Sequence, residues 1–153
     1  MKNINRNVVK KVLLAALALL IIMQVFSIDK STQPIDPKLD FYAEYDMPKD
    51  VKNILQASCN DCHSEDRAYP WYTNIEPVSW WIKGHIKGGM QNLNFSIWNS
   101  YEDNKKKHKI EEIIEVLEQK RMPLKSYTWI HKGTNIDDAK RAKLIAFFKS
   151  ISN

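Results

Sequence analysis

The sequence predicts an all-α domain with long loops, preceded by an apolar N-terminal helix. Three observations carry that expectation. Apolar residues recur at helical spacing in four separate stretches of the domain, Pro48, Pro77 and Asp137 stand where three of them open, and no segment alternates apolar and polar residues as a half-buried strand would.

The first element is Val8 to Ile28. From Val12 to Phe26 only Gln24 interrupts an apolar run, and Lys2, Arg6, Lys10 and Lys11 stand at or before its start. Signal peptides and membrane anchors share that pattern, but no Ala-x-Ala cleavage site follows. A spanning helix needs about 20 residues for a hydrocarbon core of about 30 Å. Val8–Ile28 is long enough if Lys10 and Lys11 reach out to the headgroups. Residues 1–28 therefore read as a transmembrane helix, with a signal peptide as the alternative. The basic end would stay in the cytoplasm, placing the rest of the chain on the periplasmic side of the inner membrane. Residues 29–46 hold Ser31, Thr32, Pro34 and Pro37, lack periodicity and read as a tether. Residues 47–153 are the domain.

Charge adds little to this picture. The chain has 23 Lys and Arg against 18 Asp and Glu, but four of the basic residues precede Val12 and every acidic one lies at or after Asp29. From Asp29 onward the balance is 19 − 18 = +1. A nearly neutral domain offers no electrostatic footprint for nucleic acid.

Within the domain, Pro48 suits the first residue of a helix capped by Asp46 or Met47, with Val51, Ile54, Leu55 and Ser58 on one face. Pro70-Trp71-Tyr72 reads as an aromatic turn. Pro77 opens a second helix, in which Val78, Trp81, Ile82, His85, Ile86 and Gly89 share a face and Gly88-Gly89 marks the end. A long helix is expected from Glu102 to Lys120 on Ile110, Ile113, Ile114 and Leu117, with Lys105 to Lys109 on its solvated side. The last helix runs from Asp137 to Ile151, capped by Asp137 or Asn135, with Leu144, Ile145, Phe148 and Ile151 inward.

The first of these helices leads into Cys59-Asn60-Asp61-Cys62-His63, which holds both cysteines of the chain. Cys-x-x-Cys-His is the attachment pattern of c-type haem. Two intervening residues let both thiols reach the two vinyl groups from one turn, and the adjacent imidazole meets the iron from the same side. Zinc would call for a second ligand pair, for which only His85, His108 and His131 are on offer. A redox dithiol belongs after a strand in a βαβ unit, and a disulfide across so short a loop would add little stability and leave His63 unexplained. One covalent haem c on Cys59 and Cys62, with His63 as iron ligand, is the cofactor expected.

A sixth ligand is the next question. Met122 leads, because it lies just past the long helix and Pro123 stiffens its loop. It competes with the simpler role of filling a gap in the core. His85 is the rival, as ligand or as a haem-pocket residue, although a lone His on an apolar face is more often a packed core residue. Met90 and His131 are weaker choices, and His108 sits among lysines.

Beyond the haem motif, Tyr69-Pro70-Trp71-Tyr72, Ile75-Glu76-Pro77-Val78-Ser79-Trp80-Trp81, Leu93-Asn94-Phe95-Ser96-x-Trp98 and Met122-Pro123-Leu124-x-Ser126-Tyr127 form a pattern. With these segments the chain resembles the haem-binding domain family, small exported c-type cytochrome-like proteins of Bacteroidetes type. The resemblance covers residues 47–153. It implies a cytochrome c-like fold, haem c on Cys59 and Cys62, His63 and Met122 as axial metal ligands, and a family position at His85.

Ligands on both faces of a fixed haem suit electron transfer to a redox partner protein. No small-molecule substrate is expected, since an enzyme would bring several acid-base groups to an open iron. The competing expectation is a ligand or redox sensor, or a peroxidase-like enzyme, whose sixth position is open or displaceable.

Overall fold

The computed structural model describes residues 6–152; Lys2 and Asn153 lie outside them. Among the described residues eight α-helices follow one another: α1 (Arg6–Met23), α2 (Phe41–Glu44), α3 (Lys49–Ser58), α4 (Asn60–His63), α5 (Val78–Asn92), α6 (Asp103–Glu118), α7 (Lys125–Ile130) and α8 (Asp138–Ser150). Two 3-10 helices, Trp71–Asn74 and Phe95–Ser100, complete the order, and the described residues contain no strand. The all-α expectation holds. The chain forms two compact units, one of Met1–Ser31 with Tyr69–His85, the other of Thr32–Ala68 with Ile86–Asn153.

In the first unit, none of the described residues of α1 is buried. Its expected spanning length is not reached. The helix ends at Met23, and Arg6, Lys10 and Lys11 fall inside it. The purely apolar part, Val12–Met23, rises only about 18 Å at 1.5 Å per residue, against a core of about 30 Å. No helix among the described residues is long and apolar enough to cross a membrane. Gln24 explains where the helix stops. Its amide nitrogen donates to the carbonyls of Leu20 (2.8 Å) and Glu76 (3.1 Å), while its amide oxygen accepts from the Glu76 N–H (3.0 Å). The polar interruption is thus a clasp between the end of α1 and Glu76. The Trp80 indole N–H adds a bond to the Phe26 carbonyl (2.7 Å). The Pro70-Trp71-Tyr72 turn forms as expected, with Pro70 ahead of the 3-10 helix.

The second unit holds the core. Phe41, Leu55, Phe95, Trp98, Ile110, Leu117, Leu144 and Phe148 are buried together. Phe41 is fully buried, with ring centroids of Phe95 at 4.9 Å, Tyr45 at 5.0 Å and Trp98 at 5.1 Å. Residues 38–46, read as part of a tether, are therefore built into this unit. The Asn99 N–H donates to the Leu39 carbonyl (3.0 Å), and the Asn99 side chain reaches Lys38 and Glu44. Leu39, Phe41, Tyr42 and Tyr45 form too short a stretch for a sustained period to reveal which of them is buried.

The inward faces of α3 and α6 follow their spacing. Val51, Leu55 and Ser58 are buried on one, Ile110, Ile113 and Leu117 on the other. α3 begins at Lys49, with Pro48 at the cap. On α8, Asp137 caps through its carboxylate, which accepts from the Lys140 N–H (2.7 Å), and Leu144 and Phe148 are buried. Phe147 and Arg141 are also buried, while Ile145 and Ile151 are partly covered. α5 departs most from expectation. It runs through Gly88-Gly89 to Asn92, and of its expected face only Ile86 is buried, Val78 and Trp81 being exposed.

Candidate functional site

The turn that carries Cys59, Cys62 and His63 is one short helix, α4, entered directly from α3. The Cys62 and His63 N–H groups donate to the Cys59 carbonyl at 3.2 and 3.0 Å, which closes the turn and sets both thiols and the imidazole on it. Its two intervening residues are tied to separate elements. The Tyr42 hydroxyl donates to the Asn60 side-chain oxygen (2.5 Å). The Asp61 carboxylate accepts from the Tyr127 hydroxyl (2.8 Å) and from the Ala68 N–H (3.0 Å). Burial raises the pKa of both phenols, and the Asp61 carboxylate raises that of Tyr127 further, so each stays a donor. Upstream, the Ser58 hydroxyl donates to the Thr134 carbonyl (2.9 Å).

The surroundings of His63 fix its tautomer. Its Nδ1 lies 3.0 Å from the Leu93 carbonyl, which can only accept, so Nδ1 carries the proton and Nε2 the lone pair. Burial lowers its pKa and the backbone bonds to Leu93 and Gly89 oppose that in part, so the neutral, metal-binding form is favoured. Leu93 follows α5, and the continuation of α5 through its glycines has a reason here. A Cβ on Gly89 would stand 2.3 Å from the Cys62 carbonyl oxygen. Gly in a helix interior costs about 1 kcal/mol relative to Ala. That cost lets the helix backbone lie directly against the motif.

The thiols are free, and burial raises both pKa values, that of Cys59 to about 12. A redox dithiol needs the opposite, a stabilised thiolate. Nor do the described residues contain a group of three or more His, Cys, Asp or Glu able to hold a metal ion, so a zinc set is not assembled. Two thiols and an imidazole of fixed tautomer on one turn are a donor set that fits a haem.

Met122 lies in the same unit, half-buried. α6 ends in a turn with Lys120 at φ 55°, the Lys120 N–H on the Leu117 carbonyl (3.1 Å) and the Arg121 N–H on the Val116 carbonyl (2.9 Å). Met122 emerges from this turn. Arg141, buried on α8, donates through Nη1 to the carbonyls of Leu117 (2.9 Å) and Met122 (3.2 Å) and through Nη2 to that of Ile136 (3.1 Å). Tyr127, on α7 just beyond, makes the bond to Asp61. The Met122 loop is thus pinned by Arg141 on one side and joined to the haem motif through Tyr127 on the other.

The rivals make contacts of their own. The Met90 sulfur accepts from Arg67 (3.6 Å), whose guanidinium also pairs with Glu65 (2.9 Å). His131 stacks on Tyr127 at 4.1 Å and donates to its carbonyl. His108 is exposed beside Glu112. His85 belongs to the first unit, where its Nδ1 donates to the Trp81 carbonyl (2.9 Å) and its ring lies 4.3 Å from that of Trp81.

Asn60, Asp61, Gly89, Leu93 and Arg141 were not singled out as site residues from the sequence. The polar pair inside the motif was a local signal for the first two; the others act through contacts distant along the chain.

The helical fold and this turn define a haem-binding protein. The chain belongs to the haem-binding domain family, whose model matches residues 18–150. Neither the curated proteins nor the solved structures contain a match.

Proposed function

We propose that this protein is a monohaem c-type cytochrome that carries electrons on the periplasmic side of the inner membrane, held at that membrane by α1. The observation that carries the reading is the Cys59–His63 turn with the His63 tautomer set by Leu93. The two thiols would be attached by addition to the haem vinyl groups, sulfur to one carbon and hydrogen to the other, which would consume no oxidant. Cys59 and Cys62 would hold the group, and His63 Nε2 would ligate its iron. Met122 would be the second iron ligand, a role supported by the pinned loop that carries it. When bound, the haem supplies a one-electron Fe(III)/Fe(II) couple. Ligands held in place by the fold would change little between the two states, which would suit a carrier better than an enzyme. The partner would be a redox protein.

Haem staining of a denaturing gel tests attachment. Signal should survive in the wild type, after expression with a c-type maturation system, and vanish in Cys59→Ser/Cys62→Ser. A folded wild type without stain would overturn the reading. Met122→Ala should abolish the weak sulfur-to-iron absorption band and lower the reduction potential, because a thioether favours Fe(II). A five-coordinate wild type that binds carbon monoxide would replace the carrier with a sensor or peroxidase-like enzyme.

A further inference from the structure

Of the 20 large apolar side chains that stand exposed among the described residues, twelve belong to α1 and the turn after it, and five more to the Trp71–Trp81 stretch of the same unit. A patch of that extent is not left to water in a monomeric soluble protein. The composition identifies what covers it. α1 has no polar side chain between Val12 and Met23, and its start is basic at Arg6, Lys10 and Lys11, which complements anionic headgroups. The segment bonded to its other end through Glu76 and Trp80 carries Trp71, 73% exposed, with Trp80 and Trp81, the amphipathic ring type enriched where hydrocarbon meets water. Lys30 and Lys83 flank this end, bonded to Asn74 and to the Asp29 carbonyl.

The tryptophans are not loosely associated with α1. The two hydrogen bonds between Gln24 and Glu76 and the Trp80–Phe26 hydrogen bond fasten their segment to the end of the helix and the turn after it. The depth of α1 therefore sets the depth of the tryptophans. We infer that Trp71, Trp80 and Trp81 lie in the headgroup region of the leaflet that α1 enters, so that a second segment of the chain, 69–81, is seated on the lipid. This rests on the proposed attachment through α1 and adds a lipid-facing surface to it.

The test is hydroxyl-radical footprinting of the full-length, haem-loaded protein in nanodiscs of phosphatidylethanolamine and phosphatidylglycerol. Oxidation of each tryptophan is read by peptide mass spectrometry and normalised to the urea-unfolded chain. Trp129, 89% exposed in the other unit, is the internal reference. Trp71, Trp80 and Trp81 should be oxidised severalfold more slowly than Trp129. If the protein co-purifies with the nanodiscs but all four oxidise alike, the inference falls and attachment through α1 stands. If the protein does not associate with the nanodiscs, both fall. Protection that grows with protein concentration at constant lipid would mean that a second copy covers the patch, and would also overturn the inference.

Discussion

The two compact units treat similar side chains in opposite ways. Around the Cys59–His63 turn, leucines, isoleucines and phenylalanines are buried against one another from α2, α3, α6 and α8. In the unit that holds α1, residues of the same types stand exposed along the helix. The difference lies in what accompanies them. α6 carries Glu111, Glu112, Glu115 and Glu118 opposite its isoleucines, so it has an inside and an outside. α1 is apolar all round beyond Lys11 and has no preferred inward face. Polar residues select which side is buried as much as apolar ones do.

Substitutions should reproduce that contrast in urea unfolding followed by far-UV circular dichroism. The largest loss is expected in the closed core. Phe148→Ala empties a fully buried site and should cost about 3–5 kcal/mol. Arg141→Ala comes next. It removes a bond from three carbonyls, of which only that of Leu117 is seen to keep another donor, the Lys120 N–H, and one orphaned buried acceptor alone costs about 1–3 kcal/mol. Arg141→Lys should recover little, because a single ammonium cannot reproduce the planar fork. The sulfur-to-iron band of the loaded protein should weaken in both variants if Arg141 holds the Met122 loop; an unaltered band in destabilised protein would reduce Arg141 to a core residue.

Gly89→Ala sharpens the comparison at the point where α5 meets the motif. Its Cβ would overlap the Cys62 carbonyl oxygen, and the resulting overpacking should cost about 1–3 kcal/mol. Gly84→Ala on the same helix meets nothing within 4 Å and is the control. The smallest effect is expected in α1. Leu17→Ala removes as much side chain as a core truncation but from an exposed position, and should stay within about 0.5 kcal/mol. A core-sized loss there would break the distinction between the two units.

Chemistry that lies close along the chain could be read before the fold was known. Cys59, Cys62 and His63 sit within one turn, so their spacing alone implies their joint geometry, and the 3.6-residue period of α3, α6 and α8 identified most of their inward residues. Gly88-Gly89 reads locally as a helix end, but the helix runs on because Gly89 packs against Cys62, distant in sequence. Phe41 has no local mark of burial, because its burial depends on Phe95, Trp98 and Phe148. The proton on His63 is placed by the Leu93 carbonyl, and the Met122 loop is fastened by Arg141, contacts with no local pattern to announce them. Local spacing specifies which groups share a turn or a face. Only packing of segments remote in sequence decides which face is covered, which nitrogen carries the proton and which loop is held still.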